Sequence, residues 1–278
     1  MPVRLARTIR FCVNPPAEPE GGGATASRAT GGDNGFGGKP AMSGLGRFYE
    51  LTVRCEGTPD PTTGYLVNIK DVDRAARDGA LPVIAAACDD RPWTDPAALV
   101  HELIPPIDER LGGIVTGVTW NLTPTYSVSA EKHDMATVTI RQRFDFAASH
   151  RLHVPDMSDD ENRAIFGKCN NPSGHGHNYQ VEPVVDVNLG EDRRSRFSLA
   201  QLEAVTDEHV IERFDHKNLN CDTDEFGGPS GVNPSVEHIA AVCYELLAEP
   251  IRRASEGTAR LRSVTVWETD RTCAVFEG

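Results

Sequence analysis

The sequence predicts an α+β fold made of two similar units, residues 1–138 and residues 139–278. In each half, strand-like alternation of apolar and polar residues precedes two stretches with helical spacing and two further strand patterns. Each unit is therefore expected to contain a four-stranded antiparallel sheet with two helices on one face. Four stretches of the first half match the second half in the same order, which indicates an internal repeat. The matched pairs are Thr8–Asn14 with Arg143–His150, Gly44–Leu51 with Gly174–Val181, Asp95–Leu103 with Asn233–Ala241, and Val118–Thr123 with Val264–Thr269.

The first half has three local features of its own. Residues 15–43 are rich in Gly, Ala and Pro, which is typical of a mobile loop between the first two strands, or of a linker. Residues 63–77 predict a strand that runs into a helix capped by Asp71. Farther along, Pro105 and Pro106 interrupt a helical pattern and are expected to kink or split it.

The second half carries a pattern that is typical of a transition-metal site. His175 and His177 are two residues apart at the start of a predicted strand, so both imidazoles face one side of the sheet. Residues 144–152 predict another strand, which delivers His150 near its end. Three histidines without a fourth protein ligand are typical of a catalytic zinc, which keeps one position open. A histidine pair alone is more often ordinary surface or core polarity.

Cys169 precedes the histidine pair by a short loop and follows Lys168. A thiol near a divalent cation and an ammonium group can lose its proton close to neutral pH. Gly174 and Gly176 flank His175 and give the backbone freedom where the rings must converge.

Two helical patterns of the second half bring further polar residues into the prediction. The first, residues 199–214, ends directly before Asp215 and His216, a carboxylate and an imidazole that can relay protons. Asp215 can equally be an ordinary turn residue. The second begins near Glu237, which either complements the helix dipole or binds a ligand.

Together these motifs resemble the 6-pyruvoyltetrahydropterin synthase family, which includes the 6-carboxytetrahydropterin synthases of the queuosine pathway. The resemblance covers about the last half of the chain, in order and at suitable spacing. It implies T-fold units that close into a shared β-barrel in a homo-oligomer, with sites at unit interfaces. The stretches that carry it are Ser149–Leu152, Cys169–Tyr179, Phe214–Asn220, Asn233–Ala240 and Val266–Asp270.

The resemblance also implies roles for individual residues. Zn²⁺ would be bound by His150, His175 and His177. The remaining site residues would be Cys169 as general base, Asp215 and His216 as a proton relay, Glu268 as the carboxylate that grips the pterin, and Thr269, Ser235 and Glu237 as further substrate contacts.

The family's substrate is 7,8-dihydroneopterin triphosphate, and the resemblance implies its conversion to 6-pyruvoyl-tetrahydropterin with elimination of triphosphate. Zinc can hold the vicinal hydroxyls as a Lewis acid, and internal redox by tautomerisation needs no nicotinamide or flavin. The five residues between Cys169 and His175 resemble the pyruvoyl-forming branch. Two alternatives remain, a 6-carboxytetrahydropterin synthase of queuosine biosynthesis and a pterin- or metal-binding module without turnover. Cys169, Asp215 and His216 favour an enzyme, because a binding module needs none of them.

The composition favours a soluble cytoplasmic enzyme that acts on a small molecule. Seven cysteines without paired spacing argue against a disulfide scaffold, and no apolar run approaches the roughly 20 residues of a membrane span. The formal net charge of −13 disfavours nucleic acid and anionic membranes as partners. Because the expected substrate is an anion, basic residues near the site, with Lys168 and Arg151 as candidates, would have to offset this field.

The first half lacks the residues that the second half offers for chemistry. Leu45 and Arg47 stand where His175 and His177 stand, and Leu122 stands in the place of Glu268. The first strand pattern holds no histidine, and no Asp-His pair occurs in this half. We therefore expect the second copy to be catalytic and the first copy to be silent, with a structural role.

Overall fold

The chain divides into two units, Met1–Ile140 with Asn188–Ser195 (unit 1) and Arg141–Val187 with Arg196–Gly278 (unit 2). The predicted loop over residues 15–43 lies outside the described residues, except at Pro15 and Met42. Among the residues that are described, no helix combines the length and the apolar character needed to cross a membrane. The computed structural model describes residues 1–15, 42, 44–228 and 230–278.

In the described residues, unit 1 holds five strands that neighbour one another in chain order. They are β1 (Val3–Val13), β2 (Arg47–Gly57), β3 (Val115–Asn121), β4 (Tyr126–Glu131) and β5 (Asp134–Gln142). The pairings from β1 to β4 are antiparallel, and the register of β2 against β3 shifts between Arg54 and Cys55. The last two residues of β5 fall in unit 2.

The helices of unit 1 lie between β2 and β3. They are α1 (Ile69–Asp90), α2 (Pro96–Leu99) and α3 (Ile104–Arg110), with a 3₁₀ turn over Val100–Leu103. The strand predicted before α1 was wrong, because residues 58–68 form turns and loop. The predicted cap was also wrong, because Asn68, not Asp71, accepts from the amide of Lys70. Pro105 and Pro106 occupy the first turn of α3, where a missing N–H leaves no bond unmade.

One face of the sheet of unit 1 packs against its helices, and the other is polar. Ile9 and Leu51 lie between exposed or half-buried neighbours and are fully buried, and Phe11 is fully buried on the same face. On the opposite face, Arg10 pairs with Glu50 at 2.8 Å. This alternation is what one buried face of an antiparallel sheet requires.

Unit 2 contains five strands within the described part of the chain. In the order in which they neighbour one another they are β10 (Thr272–Glu277), β9 (Ala259–Thr269), β7 (His175–Asn188), β6 (Phe144–His150) and β8 (Lys217–Asn218). The first four pair antiparallel, whereas β8 runs parallel to β6. The register of β7 against β9 shifts between Val184 and Val185.

The helices of unit 2 begin at strong capping residues. Ser158 and Ser198 each form a capping box, with Glu161 and Gln201 respectively, and so satisfy free amides at a helix start. A π-helical turn over Asp207–Ile211 continues the predicted helix 199–214. The helices are α4 (Asp159–Phe166), α5 (Leu199–Thr206), α6 (Glu212–Phe214), α7 (Leu219–Asp222), α8 (Asp224–Gly227) and α9 (Val236–Ala254).

Aromatic rings form the part of the core of unit 2 that supports β6 and β7. Phe146 stacks on Tyr179 with ring centroids 5.0 Å apart, and Phe214 contacts Phe146 at 6.2 Å. Val181 and Ile239 are fully buried in the same unit. The strand ends beyond these rings are therefore held on a rigid base.

The α+β class is confirmed, but the predicted four-stranded antiparallel sheets need correction. Each unit has a fifth strand, and β8 is parallel because the chain after α6 docks on the edge of β6. There the amide of His216 donates to the carbonyl of Ala147 at 2.6 Å. Within each unit the described strands form an open sheet, with β1 at an edge of unit 1 and β8 and β10 at the edges of unit 2, so neither unit alone closes a barrel.

Candidate active site

Three histidine side chains converge on one face of the sheet of unit 2. The antiparallel register of β6 and β7 places His150 opposite His175 and Ala148 opposite His177. Alternate residues of a strand point to the same face, so these histidines share a face with the buried Tyr179. The geometry that the two-residue spacing predicts is present.

A carboxylate that the sequence analysis did not place here completes the cluster. Glu268 follows Trp267, which pairs with Gln180 of β7, so the end of β9 lies beside the histidines. Glu268 Oε1 lies 3.3 Å from His150 Nε2 and 3.5 Å from His177 Nε2. One ligand atom from each of four residues lies within 4.8 Å of the others, and the four are His150, His175, His177 and Glu268.

Three of the six distances between these ligand atoms are close to those around a tetrahedral metal ion, and the others are no longer than 4.8 Å. His150 Nε2 lies 3.2 Å from His175 Nε2, and the two contacts of Glu268 are of similar length. With metal–ligand bonds of about 2.0–2.1 Å, the ligand atoms of a tetrahedral zinc are about 3.3–3.4 Å apart. The four residues could therefore hold a metal ion without rearrangement of the strands.

A hydrogen bond on the far side of His150 sets the tautomer of its ring. Nδ1 donates to the carbonyl oxygen of Pro234 at 2.7 Å, so the neutral ring presents a lone pair at Nε2. That lone pair faces the carboxylate of Glu268 and Nε2 of His175. The lone pair of His150 Nε2 and the carboxylate of Glu268 are both acceptors only 3.3 Å apart, and a cation between them would relieve their repulsion. Neutral imidazole and carboxylate groups are suitable ligands for such a cation.

Burial keeps the histidines in the form that binds metals. Loss of hydration lowers the pKa of His150, whose side chain is fully buried, and also the pKa of His177. His177 Nε2 is buried and has no hydrogen-bond partner among the described residues. A buried nitrogen that has no hydrogen-bond partner and lies beside a carboxylate fits the role of a metal ligand.

Tyr179 contacts the ring of His150 on the side away from the other ligands, a role that the sequence analysis missed. Its hydroxyl lies 3.3 Å from His150 Nδ1, beside the contact to Pro234. Burial raises the pKa of Tyr179 well above its usual range, so the hydroxyl stays protonated. The available signal was its position two residues after His177, which puts it on the same face of β7.

Cys169 shares a cavity of about 800 Å³ with His175 and His177. A 3₁₀ turn after α4 carries the half-buried thiol, and the carbonyl of Cys169 accepts from the amide of Leu152 at 2.9 Å. The structure thus brings the thiol and two histidines of the cluster to one cavity, with Arg151 also in its wall.

Asp215 and His216 form a contact pair in a different cavity of unit 2. Asp215 accepts from the amide of Ala147 at 2.8 Å and from His216 Nδ1 at 2.7 Å, and these two contacts lower its pKa in that order. His216 is 83% exposed and has a left-handed φ of 58°, an unusual conformation for a residue with a side chain. It lines a cavity of about 420 Å³ that contains His177 but not Cys169. Within a single chain, the Asp215–His216 pair therefore does not share a cavity with Cys169.

The remaining predicted substrate contacts lie at ends of elements near the cluster. Ser235 caps α9 by accepting from the amide of His238, and Glu237 is exposed in its first turn. Hydrogen bonds from its own amide and from Ser235 lower the pKa of Glu237. Thr269 is exposed at the end of β9, where its hydroxyl accepts from the amide of Arg271. The start of α9 reaches the cluster through the contact of Pro234 with His150.

A comparison with protein families matches residues 139–278 to the model described as 6-pyruvoyl tetrahydropterin synthase. Residues 1–138 lie outside this match. The matched half contains the whole metal cluster and Cys169.

Individual relatives match about the same half. The 6-pyruvoyl tetrahydrobiopterin synthase of Homo sapiens is 35% identical over 139 residues, which cover 50% of this chain and 90% of the relative. The protein of the same name from Drosophila melanogaster is 36% identical over 139 residues, 50% of this chain and 79% of the relative. A solved Caenorhabditis elegans 6-pyruvoyl tetrahydropterin synthase is 32% identical with a TM-score of 0.46, covering 52% of this chain and 97% of that chain.

Proposed function

This chain belongs to the 6-pyruvoyl tetrahydropterin synthase family and is a tetrahydropterin synthase-type lyase, and from this premise we propose its substrate and metal. The substrate is 7,8-dihydroneopterin triphosphate, and the products are 6-pyruvoyl-tetrahydropterin and triphosphate. The observation that carries the proposal is the cavity shared by Cys169, His175 and His177, with His150 behind it. A thiol next to a metal cluster suits proton abstraction beside a polarised oxygen.

Zinc is the metal that suits this donor set best. His150, His175 and His177 would hold it, and the carboxylate of Glu268 lies beside them. Three neutral imidazoles are typical ligands of a catalytic zinc, which keeps its fourth position open for substrate. When bound, the ion supplies Lewis-acid polarisation to the hydroxyls of the substrate's side chain.

Cys169 acts as the general base in the proposed reaction. Its half-buried thiol, as thiolate, takes a proton from a carbon of the side chain. The carbon–oxygen bond to the triphosphate breaks, and the leaving oxygen keeps the electron pair. The oxidation and reduction that follow are internal to the substrate, so no external electron acceptor is needed.

The Asp215–His216 pair relays protons in a homo-oligomeric enzyme. Asp215 holds His216 through Nδ1, so the imidazole is oriented and its other nitrogen is free for exchange. The exposure of His216 and its separate cavity favour a site that is completed by a second copy of the chain. The open edges of β1 and β10 favour such pairing as well, because unpaired strand edges offer free backbone groups.

Glu268, Thr269, Ser235 and Glu237 are the proposed contacts of the pterin. A carboxylate can accept two hydrogen bonds from the amino-pyrimidine edge, which is a strong and directional contact. Glu237 is exposed at the start of α9, close in sequence to Pro234, which contacts the cluster. Glu237 can therefore accept hydrogen bonds from the pterin while Glu268 faces the histidines.

Unit 1 is proposed to be a silent copy of the same unit with a structural role. Leu45, Arg47 and Leu122 occupy the positions of site residues and cannot assemble the same metal site. Its strand order and registers parallel those of unit 2 and support the assignment.

Incubation of the metal-quantified protein with 7,8-dihydroneopterin triphosphate, with products identified by mass spectrometry, tests the function. A 6-pyruvoyl product with free triphosphate is the expected result. A 6-carboxy product with acetaldehyde would assign the queuosine-type reaction instead. Retention of about one zinc per chain without turnover would leave a binding module.

A further inference from the structure

The cavity beside Cys169 is cationic in a chain whose formal net charge is −13. Arg151, Arg163 and Lys168 line it, against the single carboxylate of Asp159. The negative charge of the whole protein repels anions, so an anionic ligand needs a local cluster of cations at its binding site. The positive charge around this cavity therefore indicates an anionic ligand.

Arg151 is held rigidly by partners that leave its charge uncompensated. Its backbone amide donates to Asn220 Oδ1 at 2.7 Å, and its carbonyl accepts from Asn220 Nδ2 at 3.0 Å. Its guanidinium donates from Nε to the carbonyl of Asn170 at 3.1 Å and from Nη2 to the Oδ1 of Asn170 at 3.4 Å. All these partners are neutral, and the described residues offer Arg151 no ion pair. A fixed guanidinium with free N–H groups is well suited to phosphate oxygens.

The other two cations differ in how far they are committed. Lys168, which precedes Cys169, is exposed and forms no ion pair in the described part of the chain. Arg163 contacts Asp160 at 3.1 Å, but both side chains are largely exposed, so this pair competes weakly with a multivalent anion. Arg151 and Lys168, neither of them in an ion pair among the described residues, thus line the cavity that contains the thiol.

We propose that this cavity is a polyphosphate subsite, in which Arg151 and Lys168 bind the triphosphate arm of the substrate and the triphosphate that leaves. The inference rests on the proposed function for the identity of the substrate. The amide of Leu152 donates to the carbonyl of Cys169, which ties the segment of Arg151 to the turn of the thiol. Phosphate held there lies next to the base, so departure of the leaving group and proton removal occur in one cavity.

The subsite also has a catalytic consequence. Negative charge grows on the leaving oxygen as its bond to carbon breaks, and fixed cations stabilise that charge without reorganisation. Arg151 contributes a directional fork, whereas Lys168 contributes a mobile point charge. The arm of the substrate would therefore affect turnover as well as binding.

Calorimetric titration of the metal-quantified, full-length protein with inorganic triphosphate tests the subsite without requiring turnover. Lys168→Ala is expected to weaken binding about tenfold or more, as loss of one charge-assisted contact does. Arg151→Lys, which keeps the charge but loses the fork, is expected to weaken it about threefold to tenfold. The matched control is Lys217→Ala, an exposed lysine of the same unit that lines the cavity of His216 and should change binding less than about twofold.

Three results would overturn the proposal: equal affinity in the wild type and Lys168→Ala, equal losses in Lys168→Ala and Lys217→Ala, or affinity that depends on the metal alone. Binding of unphosphorylated 7,8-dihydroneopterin should be unchanged by Lys168→Ala, which separates a phosphate effect from misfolding. If the protein converts the substrate but its affinity for triphosphate does not depend on Lys168, only the subsite is refuted. If triphosphate binding depends on Lys168 but the substrate is not converted, the proposed reaction is refuted and the subsite is supported.

Discussion

Across the first two strands of unit 1, Phe11 faces Tyr49; across the corresponding strands of unit 2, Phe146 faces Tyr179. In both units the tyrosine strand then pairs with a third strand, and that third strand with a fourth. The order of the four strands is therefore the same in the two units, and an aromatic pair lies at the same place in each.

The irregularities of the two sheets coincide as well. The second and third strands of unit 1 shift register between Arg54 and Cys55, and those of unit 2 between Val184 and Val185. Each shift begins five residues after the tyrosine of its unit. A β-bulge at one place in two ladders is a shared local feature, because bulges re-aim the side chains that follow them.

The turns that enter the second strands are also alike. Gly44 and Gly174 both have a left-handed φ, 55° and 71°. A Cβ at Gly44 would lie 3.3 Å from Pro15, and a Cβ at Gly174 would lie 3.0 Å from the carbonyl of His150. The tight approach at this turn suits glycine in both units.

The units differ at the strand ends beyond the aromatic pair, which we call the rim of each sheet. Val13 faces Arg47 in unit 1, where Ala148 faces His177 in unit 2. Leu122 follows the third strand of unit 1 where Glu268 stands in unit 2. The comparison teaches that buried alternating residues set the frame and its register, whereas a few rim side chains decide whether the frame carries chemistry.

The largest expected difference between the units is at the metal site. His177→Ala should weaken zinc binding at least about 100-fold and reduce kcat/KM at least about 10³-fold, since Lewis-acid stabilisation contributes several kcal/mol. Arg47→Ala, the same position in unit 1, should leave metal content unchanged and activity within about twofold. Metal analysis and steady-state kinetics of both variants decide this, and loss of metal in Arg47→Ala would refute a silent unit 1.

Removal of the proposed base should separate chemistry from metal binding. Cys169→Ala should lower kcat about 10³-fold while one metal per chain is retained, because the thiol takes a proton but does not lie in the ligand cluster. The control is Cys221→Ala, an exposed cysteine of the same unit, with kcat expected within about twofold. Single-turnover kinetics on metal-quantified samples make the comparison, and an unchanged kcat in Cys169→Ala excludes the thiol as base.

Loss of the proposed relay should have a smaller effect. His216→Ala is expected to lower kcat about 10²-fold, because proton transfer passes to water. His209→Ala removes another histidine of unit 2 and should change kcat less than about twofold. Mixing the impaired His216→Ala and Cys169→Ala variants should raise the activity above that of either alone if a site draws residues from two copies. Absence of any recovery in mixed oligomers would place the whole relay within one chain.

The role of Glu268 can be resolved by metal affinity. Glu268→Gln removes the charge and Glu268→Asp withdraws the oxygen, and both should weaken zinc about tenfold if the carboxylate is a ligand. Glu182→Gln, a half-buried carboxylate of β7 that contacts Arg143, is the control and should not change affinity. Chelator competition measures the constants. Wild-type affinity in Glu268→Asp would mean that the carboxylate acts only through its charge.

The smallest effect concerns the buried histidine of unit 1. Burial lowers the pKa of His101, so its folded-state pKa lies below the unfolded value of about 6.5. The unfolded state then binds the proton more tightly, and the free energy of unfolding falls as pH drops through about 6.5 toward the folded-state pKa. In metal-free protein, His101→Gln should reduce this pH dependence between about pH 7.5 and 5.5. Urea unfolding measures it, and equal slopes in wild type and His101→Gln would contradict a buried neutral ring.

Residue spacing alone predicted the parts of this protein that depend on near neighbours. The two-residue separation of His175 and His177 predicts a shared face, and the alternation around Phe146 predicts the strand that brings His150 to them. Apolar spacing likewise predicts that the chain turns at Asp215 after a helix. These are consequences of strand and helix geometry, which is local.

Contacts between distant segments were settled only by the tertiary structure. The carbonyl of Pro234 sets the tautomer of His150 from 84 positions along the chain, and Glu268 joins the histidines through the pairing of β9 with β7. The docking of His216 on β6 puts this imidazole in the wall of a cavity that does not include Cys169. The local sequence pattern determines on which face of a strand or helix a side chain lies. Which of these faces contact one another depends on how the strands and helices pack, because the packing depends on the apolar surface buried over the whole unit.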